Sequence, residues 1–407
     1  MKKKIKKRIF GNELNYLKEV LKGEFRTSKG SRMMSLLEKK FSKKYKVPYA
    51  ISFTNGTATM HAALEAMDIR PGDEVIVPPL TMSSTAFSVL HANATPVFAD
   101  VNLDTFLIDP ASIKKLINTN TKAIITVALY GLSPDMNQII KLKNKNKNKN
   151  KIKIIEDNAE CFLGYYNDKL AGTLGDCASF SFQSSKHITS GEGGILITHN
   201  RKFADKIRKI QSLGYKGLNS VRSKIRKEDI QNPYYDRHYS LGWNYRMPEL
   251  CSAVALAQLE NIDFLVNKRI QVANIFRNNS KNFENWFTPQ KVPENCVHSY
   301  WTWAVKLETN KVSWEDFVSK FKYFGGDGIY GAWKLSYKEP AFQKLRFLGR
   351  ENFIKKKNLD KYFYKSLCPN AEYLQTRILQ FKTNYWNIKE DYKQGEILNK
   401  TLRYFGN

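Results

Sequence analysis

The chain has 407 residues, of which 42% are hydrophobic and 13% are aromatic. This length and composition indicate a globular protein with enough residues for two domains, and they exclude a disordered polypeptide. The sequence contains no apolar run of about 18 residues, and its basic N-terminus lacks the features of a signal peptide. We therefore expect a cytoplasmic protein with no membrane partner.

Lysine and arginine exceed the acidic residues by 66 to 38, which gives a formal net charge of +28. Such a surplus is common in proteins that bind nucleic acid or other anions. Much of it lies in tails, helix faces and a Lys/Asn-rich run over residues 141–153, whose low complexity predicts a solvated loop. The alternative interpretation of the run is attraction of anionic substrates or surfaces, and we predict no nucleic-acid partner.

Cysteine and histidine usage argues against a metal site. The five cysteines include no CxxC pair, and the six histidines show no zinc-like spacing. The odd number of cysteines also argues against a disulfide framework. The sequence therefore predicts reduced thiols and no metal.

Apolar residues at helical spacing predict helices, and short apolar or alternating runs predict strands. The predicted helices cover residues 9–22, 33–45, 58–67, 80–92, 109–117, 134–142, 202–213 and 248–276. The predicted strands cover residues 50–53, 75–78, 95–100, 122–129, 153–156, 179–182 and 195–198. This alternation predicts an α/β fold, in which a mostly parallel sheet is flanked by helices and active-site loops follow the carboxyl ends of the strands.

The long helix predicted over residues 248–276 separates two parts of the chain. Residues 1–265 are expected to form a large α/β domain, which includes the N-terminal helix and the Lys/Asn-rich loop. Residues 266–407 are expected to form a smaller α+β domain, and the polar, aromatic stretch 214–236 predicts a long loop.

The first predicted strand leads directly into Asn55, Gly56 and Thr57 and then into a helix. The free amides of a helix N-terminus attract anions, Gly56 lets a ligand approach the backbone, and Thr57 adds a hydroxyl. An ordinary capped helix start contains the same residue types. By itself the turn therefore leaves both interpretations open.

One lysine, Lys186, lies between a serine-rich strand and a glycine-rich turn in the stretch SFSFQSSKHITSGEGG. The two flanking strands could form a hairpin that carries Lys186, while Asp157 ends another strand at the same edge of the sheet. A lysine amine, a carboxylate and an anion cradle are the groups that pyridoxal 5′-phosphate (PLP) requires. No P-loop, GxGxxG or GxSxG motif competes with this hypothesis.

Several long segments resemble one known family. They include SFTNGTATMHAALEAM, IIEDNAECFLG, GTLGDCASFSFQSSKHITSGEGGILIT and LGWNYRMPEL. From about residue 10 to its C-terminal end, the chain resembles the DegT/StrS-type sugar-nucleotide aminotransferases, which are PLP-dependent enzymes of fold type I. The resemblance implies a transaminase that moves an amino group from an amino acid, usually glutamate, to a keto sugar linked to a nucleoside diphosphate, for amino-sugar or surface-polysaccharide biosynthesis.

The resemblance also implies roles for particular residues. Gly56, Thr57 and Ser181 are similar to the residues that bind the PLP phosphate. Asp157 resembles the partner of the pyridine nitrogen, and Lys186 resembles the lysine that attaches the cofactor as a Schiff base.

One further position implies an assembly. Asn244 is similar to an asparagine that reaches the phosphate from the other subunit, which implies a homodimer with shared active sites. Arg246 is a candidate for binding a substrate carboxylate or phosphate, and a salt bridge at the start of a helix is the alternative.

Two positions depart from the common family pattern. Met82 stands where many relatives have an aromatic ring stacked on PLP, and a thioether packs on a ring less rigidly. Glu160 stands where glutamine or histidine often touches the 3-oxygen of the cofactor. A carboxylate would repel that oxygen, so we expect Glu160 to hold a proton or to turn toward the substrate. We interpret His187 as a structural residue.

Two alternative functions remain open. The same scaffold could aminate a cyclitol ketone or an aminoshikimate-type precursor. A protein of another class, a DNA-binding regulator with a PLP-type fold, is supported only by the net charge, because no helix-turn-helix is appended to either end.

Overall fold

The structure is a computed structural model that describes residues 8–25, 32–145 and 152–406. Most of the basic N-terminal tail and the centre of the Lys/Asn-rich run lie outside the described residues.

The described residues form helices and strands that alternate through the first half of the chain. The helices are α1 (Asn12–Lys22), α2 (Met33–Tyr45), α3 (Gly56–Ala66), α4 (Ser84–His91), α5 (Pro110–Leu116), α6 (Met136–Lys145), α7 (Arg201–Gln211), α8 (Lys227–Gln231), α9 (Glu249–Glu260), α10 (Ile262–Ser280), α11 (Trp314–Tyr323), α12 (Pro340–Gln343), α13 (Lys356–Lys361), α14 (Pro369–Gln375) and α15 (Ile388–Gly406). The strands are β1 (Tyr49–Phe53), β2 (Glu74–Val77), β3 (Thr95–Phe98), β4 (Thr121–Val127), β5 (Lys153–Asp157), β6 (Tyr165–Tyr166), β7 (Lys169–Leu170), β8 (Cys177–Ser181), β9 (Gly194–Thr198), β10 (Phe287–Pro289), β11 (Cys296–Val297), β12 (Thr302–Leu307), β13 (Tyr330–Gly331) and β14 (Ile378–Lys382).

The large sheet has seven strands in the order β1-β9-β8-β5-β4-β2-β3. Strands β3, β2, β4, β5 and β8 are paired in parallel, whereas β9 pairs antiparallel with both β8 and β1. The predicted α/β fold with a mostly parallel sheet is confirmed. Because β1 has the same direction as β8, the carboxyl ends of β1, β4, β5 and β8 meet at one edge of the sheet.

The predicted hairpin is also present. Strands β8 and β9 pair from Ala178 with Ile197 to Ser181 with Gly194, and the connection between them carries Lys186. The alternating sequence of β8 determines which side chains face the site. Phe180 packs on Phe41 and Phe162, with ring centroids 5.2 Å apart in each pair, while the neighbouring serines face α3. Burying one phenylalanine side chain contributes about 1.5–3 kcal/mol, so this packing fixes the hairpin against the sheet.

A smaller antiparallel sheet, β10-β12-β14-β13, forms the core of the C-terminal part of the chain. The boundary expected near residue 265 stays a prediction. Part of the later sequence packs on the large sheet, because the rings of Tyr337, Phe342 and Tyr362 lie 5.3, 5.5 and 5.8 Å from that of Phe98 on β3.

Several predicted helices are wrong in their extent, and the one expected over 80–92 is the shorter helix Ser84–His91. The single helix expected over 248–276 is divided into α9 and α10, because Asn261 leaves the helical conformation and its side chain donates to the carbonyl of Ala257. The first helix begins at Asn12 rather than near residue 9. Gly11 precedes it with a φ of 107°, so Ile9 and Phe10 lie outside the helix and are exposed.

Two predicted loops are wrong in part. The stretch 214–236 contains the short helix α8. In the Lys/Asn-rich run, α6 continues to Lys145, whereas β5 begins at Lys153 as predicted.

The close approach of β9 to the start of α3 depends on Gly194. A Cβ at this position would lie 2.6 Å from the carbonyl carbon of Asn55 and 2.8 Å from the amide nitrogen of Gly56. Atoms this close must separate, and backbone atoms cannot rotate away. Gly194 therefore lets the hairpin contact the turn that begins α3.

We predict that Gly194→Ala lowers the free energy of unfolding by about 1–3 kcal/mol, because the new methyl group would push β9 away from α3. Urea unfolding of the purified variant measures this change. Gly328→Ala is the matched control, since a Cβ there would meet nothing within 4 Å. Equal stabilities of the two variants would contradict the proposed contact.

Candidate active site

A cavity of about 320 Å³ opens at the carboxyl edge of the large sheet. Most of the predicted site residues line it, namely Gly56, Thr57, Met82, Asp157, Glu160, Ser181 and Lys186. They come from the segments that follow β1, β2, β5 and β8, so parallel strand order brings them together. A larger cavity of about 770 Å³, between α2 and the β6–β7 hairpin, contains none of these residues.

The first turn of α3 lines the cavity and contains the type of donor that an anion requires. Asn55 caps the helix by accepting the amide hydrogen of Ala58 at 2.8 Å. The amides of Gly56 and Thr57 precede this bond and lie on the cavity wall. A Cβ on Gly56 would lie 3.1 Å from the Cβ of Ser181, so glycine permits the helix start and the serine to approach one another. These donors fit a phosphate group.

Asp157 lies buried at the end of β5, on the floor of the cavity. Its two oxygens accept hydrogen bonds from the Thr85 hydroxyl at 2.9 Å and from the Ala159 amide at 3.1 Å. Burial raises the pKa of Asp157, and these hydrogen bonds and the Lys186 ammonium oppose that effect. A carboxylate held in this way fits a protonated ring nitrogen, whose charge would compensate its own.

Lys186 lies between a carboxylate and an indole ring. Its Nζ is 3.2 Å from Oε1 of Glu160 and 4.3 Å from the centre of the Trp301 ring. The other oxygen of Glu160 accepts the amide hydrogen of Tyr130 at 3.0 Å. The residue that departs from the common family pattern is therefore the direct partner of the lysine amine.

Tyr130 supports Glu160 through an unusual backbone conformation. Its φ of 64° lies in the left-handed region, which costs a non-glycine residue on the order of 1 kcal/mol. The side chain is fully buried in the core, which holds the backbone in this state. The amide of this residue donates to the Glu160 carboxylate.

Sequence reasoning missed the residues that close the cavity from the C-terminal part of the chain. Trp301 and Trp333 both line it, and their ring centroids are 6.1 Å apart. Trp301 immediately precedes β12, and no local sequence pattern shows that it reaches Lys186. Polar residues missed on the wall include Thr81, Ser84, Gln183 and Glu192.

Three of the predicted site residues are exposed or lie outside the cavity. Met82 lines the cavity but is 52% exposed. Asn244 is exposed outside the cavity, where its backbone pairs with Ser212. Arg246 lines a separate cavity beneath the 212–249 segment, and its Nη1 is buried with no hydrogen-bond partner among the described residues. A single chain therefore does not bring Asn244 or Arg246 into the site.

His187 follows Lys186 in the sequence but is not among the residues that line the cavity. It is fully buried, and its Nε2 donates to the carbonyl of Ser299 at 2.9 Å. Burial, aided by the nearby Arg269 guanidinium, lowers the pKa of His187 well below its usual value. The ring is therefore neutral and is bound to the backbone, in agreement with a structural role.

Within residues 8–25, 32–145 and 152–406, no three histidine, cysteine or acidic side chains lie close enough to hold a metal ion. In the same part of the chain, no helix combines the length and apolar character needed to cross a bilayer.

A mostly parallel sheet whose edge joins a lysine, a buried carboxylate and a helix-start anion cradle defines the fold type I class of PLP-dependent aminotransferases. Residues 7–350 match the DegT/DnrJ/EryC1/StrS aminotransferase family, and the chain belongs to this family. The predicted family and enzyme class are confirmed.

This chain is also similar to individual members of the family. The GDP-perosamine synthase of Escherichia coli O157:H7 is 35% identical over 301 residues, which cover 74% of this chain and 76% of the relative. The GDP-perosamine synthase of Caulobacter vibrioides is 36% identical over 313 residues, covering 77% and 79%. The solved structure of an aminotransferase from Psychrobacter cryohalolentis has a TM-score of 0.86 at 24% identity and covers 98% of each chain, which supports the fold.

We predict that the buried carboxylate of Asp157 makes the unfolding free energy of the cofactor-free protein depend on pH. The pKa of Asp157 is raised on folding, so its contribution to stability is greatest when it is protonated and declines as the pH rises from the ordinary value of 3.8 through the raised value. Asp157→Asn removes this penalty. The free energy of unfolding of the Asp157→Asn variant, relative to that of the parent protein, should therefore rise with pH and then become constant.

Unfolding free energies measured between about pH 4 and 8 test this expectation. Asp176→Asn is the matched control of opposite sign. Although burial alone would raise it, the pKa of Asp176 is lowered by the Lys143 ammonium and the Ile154 amide. That control should be less stable by a nearly constant amount over the same range. A constant difference for Asp157→Asn as well would contradict the assignment.

Proposed function

We propose that the chain transfers an amino group from an amino acid, with glutamate as the first candidate, to a keto sugar carried on a nucleoside diphosphate. The product would serve amino-sugar or surface-polysaccharide biosynthesis. The supporting observation is the cavity that joins Lys186, Asp157 and the start of α3, in a chain 35–36% identical to two GDP-perosamine synthases. A GDP-linked keto sugar is therefore the first acceptor to examine.

The residues present would hold PLP at each of its functional groups. The amides of Gly56 and Thr57, with the Ser181 hydroxyl, would bind the phosphate, and Asp157 would face the ring nitrogen. Met82 would pack on the ring from the open side of the cavity. PLP supplies an electron sink that lets an amino group leave one carbon skeleton and join another.

Lys186 would attach the cofactor and then carry a proton at the reacting carbon of the substrate. Glu160, 3.2 Å from its Nζ, would keep the amine oriented toward that carbon. Trp301 and Trp333 would exclude water from the same space, which strengthens the electrostatic contacts inside it.

We further propose a homodimer with shared sites. Asn244 is exposed outside its own cavity, where it could reach a partner's cofactor phosphate. Close by, Tyr234, Tyr239 and Leu241 expose 91%, 72% and 81% of their surface. Exposed apolar side chains grouped in this way are typical of an interaction surface. Arg246 would bind a substrate carboxylate or phosphate from the same side, and the cytoplasmic location stays a prediction.

Purified protein reconstituted with PLP should show an absorbance band near about 410–430 nm, which glutamate bleaches and a GDP-linked keto sugar restores. Lys186→Ala should lose the band, the borohydride-trapped cofactor and turnover, because the attaching amine is gone. Lys206→Ala should keep all three, since Lys206 lies on the surface paired with Asp68.

Acceptor choice separates the alternatives. Restoration by a nucleotide-free cyclitol ketone, and not by any nucleotide-linked sugar, would favour the alternative substrate class. A colourless protein that binds DNA with a steep salt dependence would overturn the enzymatic proposal and favour the regulator.

Mixed dimers test the shared site. Lys186→Ala and Asn244→Ala should each be poorly active alone, yet refolding them together should restore activity. In the mixed dimer, one of the two sites would receive an intact Lys186 from one subunit and an intact Asn244 from the other. No recovery after confirmed subunit exchange would mean that Asn244 does not act across the interface.

A further inference from the structure

Two arginines from distant parts of the chain converge on the backbone that carries Lys186. Arg269, on α10, donates from Nη2 to the carbonyls of Ser185 at 2.9 Å and Lys186 at 3.2 Å. Arg8, in the segment before α1, donates to the carbonyls of Ser184 at 2.8 Å and of Lys186. The loop between β8 and β9 is thus held by side chains from outside the hairpin.

Arg269 also holds the aromatic residue beneath the lysine amine. Its Nη1 donates to the carbonyl of Trp301 at 2.6 Å and to the hydroxyl of Thr383 at 3.2 Å. The indole nitrogen of Trp301 in turn donates to the carbonyl of Ser185 at 3.0 Å. One planar guanidinium therefore fixes the backbone of Lys186 and the backbone of Trp301 relative to each other.

The burial of Arg269 is costly and has no acidic compensation in the described part of the chain. The side chain is 1% exposed, and carbonyl and hydroxyl oxygens are the only hydrogen-bond acceptors found for it there. Burial lowers the pKa of Arg269 to about 9, and the nearby Arg8 charge acts in the same direction. Among the described residues, every hydrogen bond of the Arg269 guanidinium goes to Ser185, Lys186, Trp301 or Thr383.

We propose that Arg269 is a positioning residue for Lys186. By joining the Ser185–Lys186 carbonyls to that of Trp301, it holds Nζ between Glu160 and the indole ring, in the geometry needed to capture the cofactor. Arg8 reinforces the same loop from the N-terminal segment. The role in cofactor capture rests on the proposed function, whereas the geometry of the lysine does not.

Two measurements on Arg269→Met test this assignment. The first is the rate at which cofactor-free protein captures PLP, followed by absorbance. It should fall about tenfold or more, because small misplacements of a reacting group are costly. The second is labelling of cofactor-free protein with an amine-reactive reagent, quantified by mass spectrometry. Lys186, now 12% exposed, should react faster once it is released from Glu160 and Trp301.

Internal and matched controls separate positioning from general loosening. Lys306 on β12 is 18% exposed, and its labelling should not change. Arg277→Met lies two turns further along α10 and removes a bond to the Tyr300 hydroxyl, so it should leave both measurements near the parent values. Arg269→Lys should recover part of the capture rate, because an ammonium keeps the charge but cannot span both carbonyls.

Each outcome of the capture and labelling measurements either supports or overturns the positioning role of Arg269. Folded Arg269→Met with the capture and labelling rates of Arg277→Met would overturn the proposal. If Arg269→Met does not fold, Arg8→Ala and Arg269→Lys replace it, with smaller changes expected in the same direction. If the parent protein captures no PLP, the proposed function fails, and the labelling comparison alone decides whether Arg269 positions Lys186.

Discussion

The contact between the β8–β9 hairpin and the first turn of α3 determines where the other groups of the site lie. Gly194 and Gly56 make this contact possible, because a Cβ at either position would press on the opposite element. The contact places Ser181 beside the open amides of the helix and extends the chain toward Lys186. Parallel pairing of β8 with β5 then brings Asp157 to the same cavity.

Charges of both signs occupy the cavity, and two cations lie in the layer behind it. Asp157 lies on the floor and Glu160 binds Lys186, while Arg269 and Arg8 hold the lysine's backbone from behind. Because these groups are shielded from water, their interactions are stronger than on the surface. Burial, aided by the Arg269 charge, lowers the pKa of His187 and keeps it neutral, so the histidine next to Lys186 does not compete for protons.

Residues close to each other in sequence were predicted well, since their roles depend on local conformation. The turn at Gly56 and the hairpin connection at Lys186 follow from strand ends, glycine and capping residues. The helix break at Asn261 was missed because its apolar spacing continues without interruption, and only the side-chain bond to Ala257 shows the break. Met82 was predicted at the cavity wall, although its exposed position follows from packing.

The sequence by itself determined the α/β order of elements and placed Gly56 and Lys186 in turns at strand ends, because hydrophobic periodicity and turn chemistry act over a few residues. Only the tertiary structure decided that Trp301 and Arg269 reach Lys186, and that Tyr130 turns its amide to Glu160. These contacts join segments that are distant in the sequence, and those of Trp301 and Arg269 depend on packing between the two parts of the chain. No local pattern encodes the distance between such segments, so it could not be derived before the fold was known.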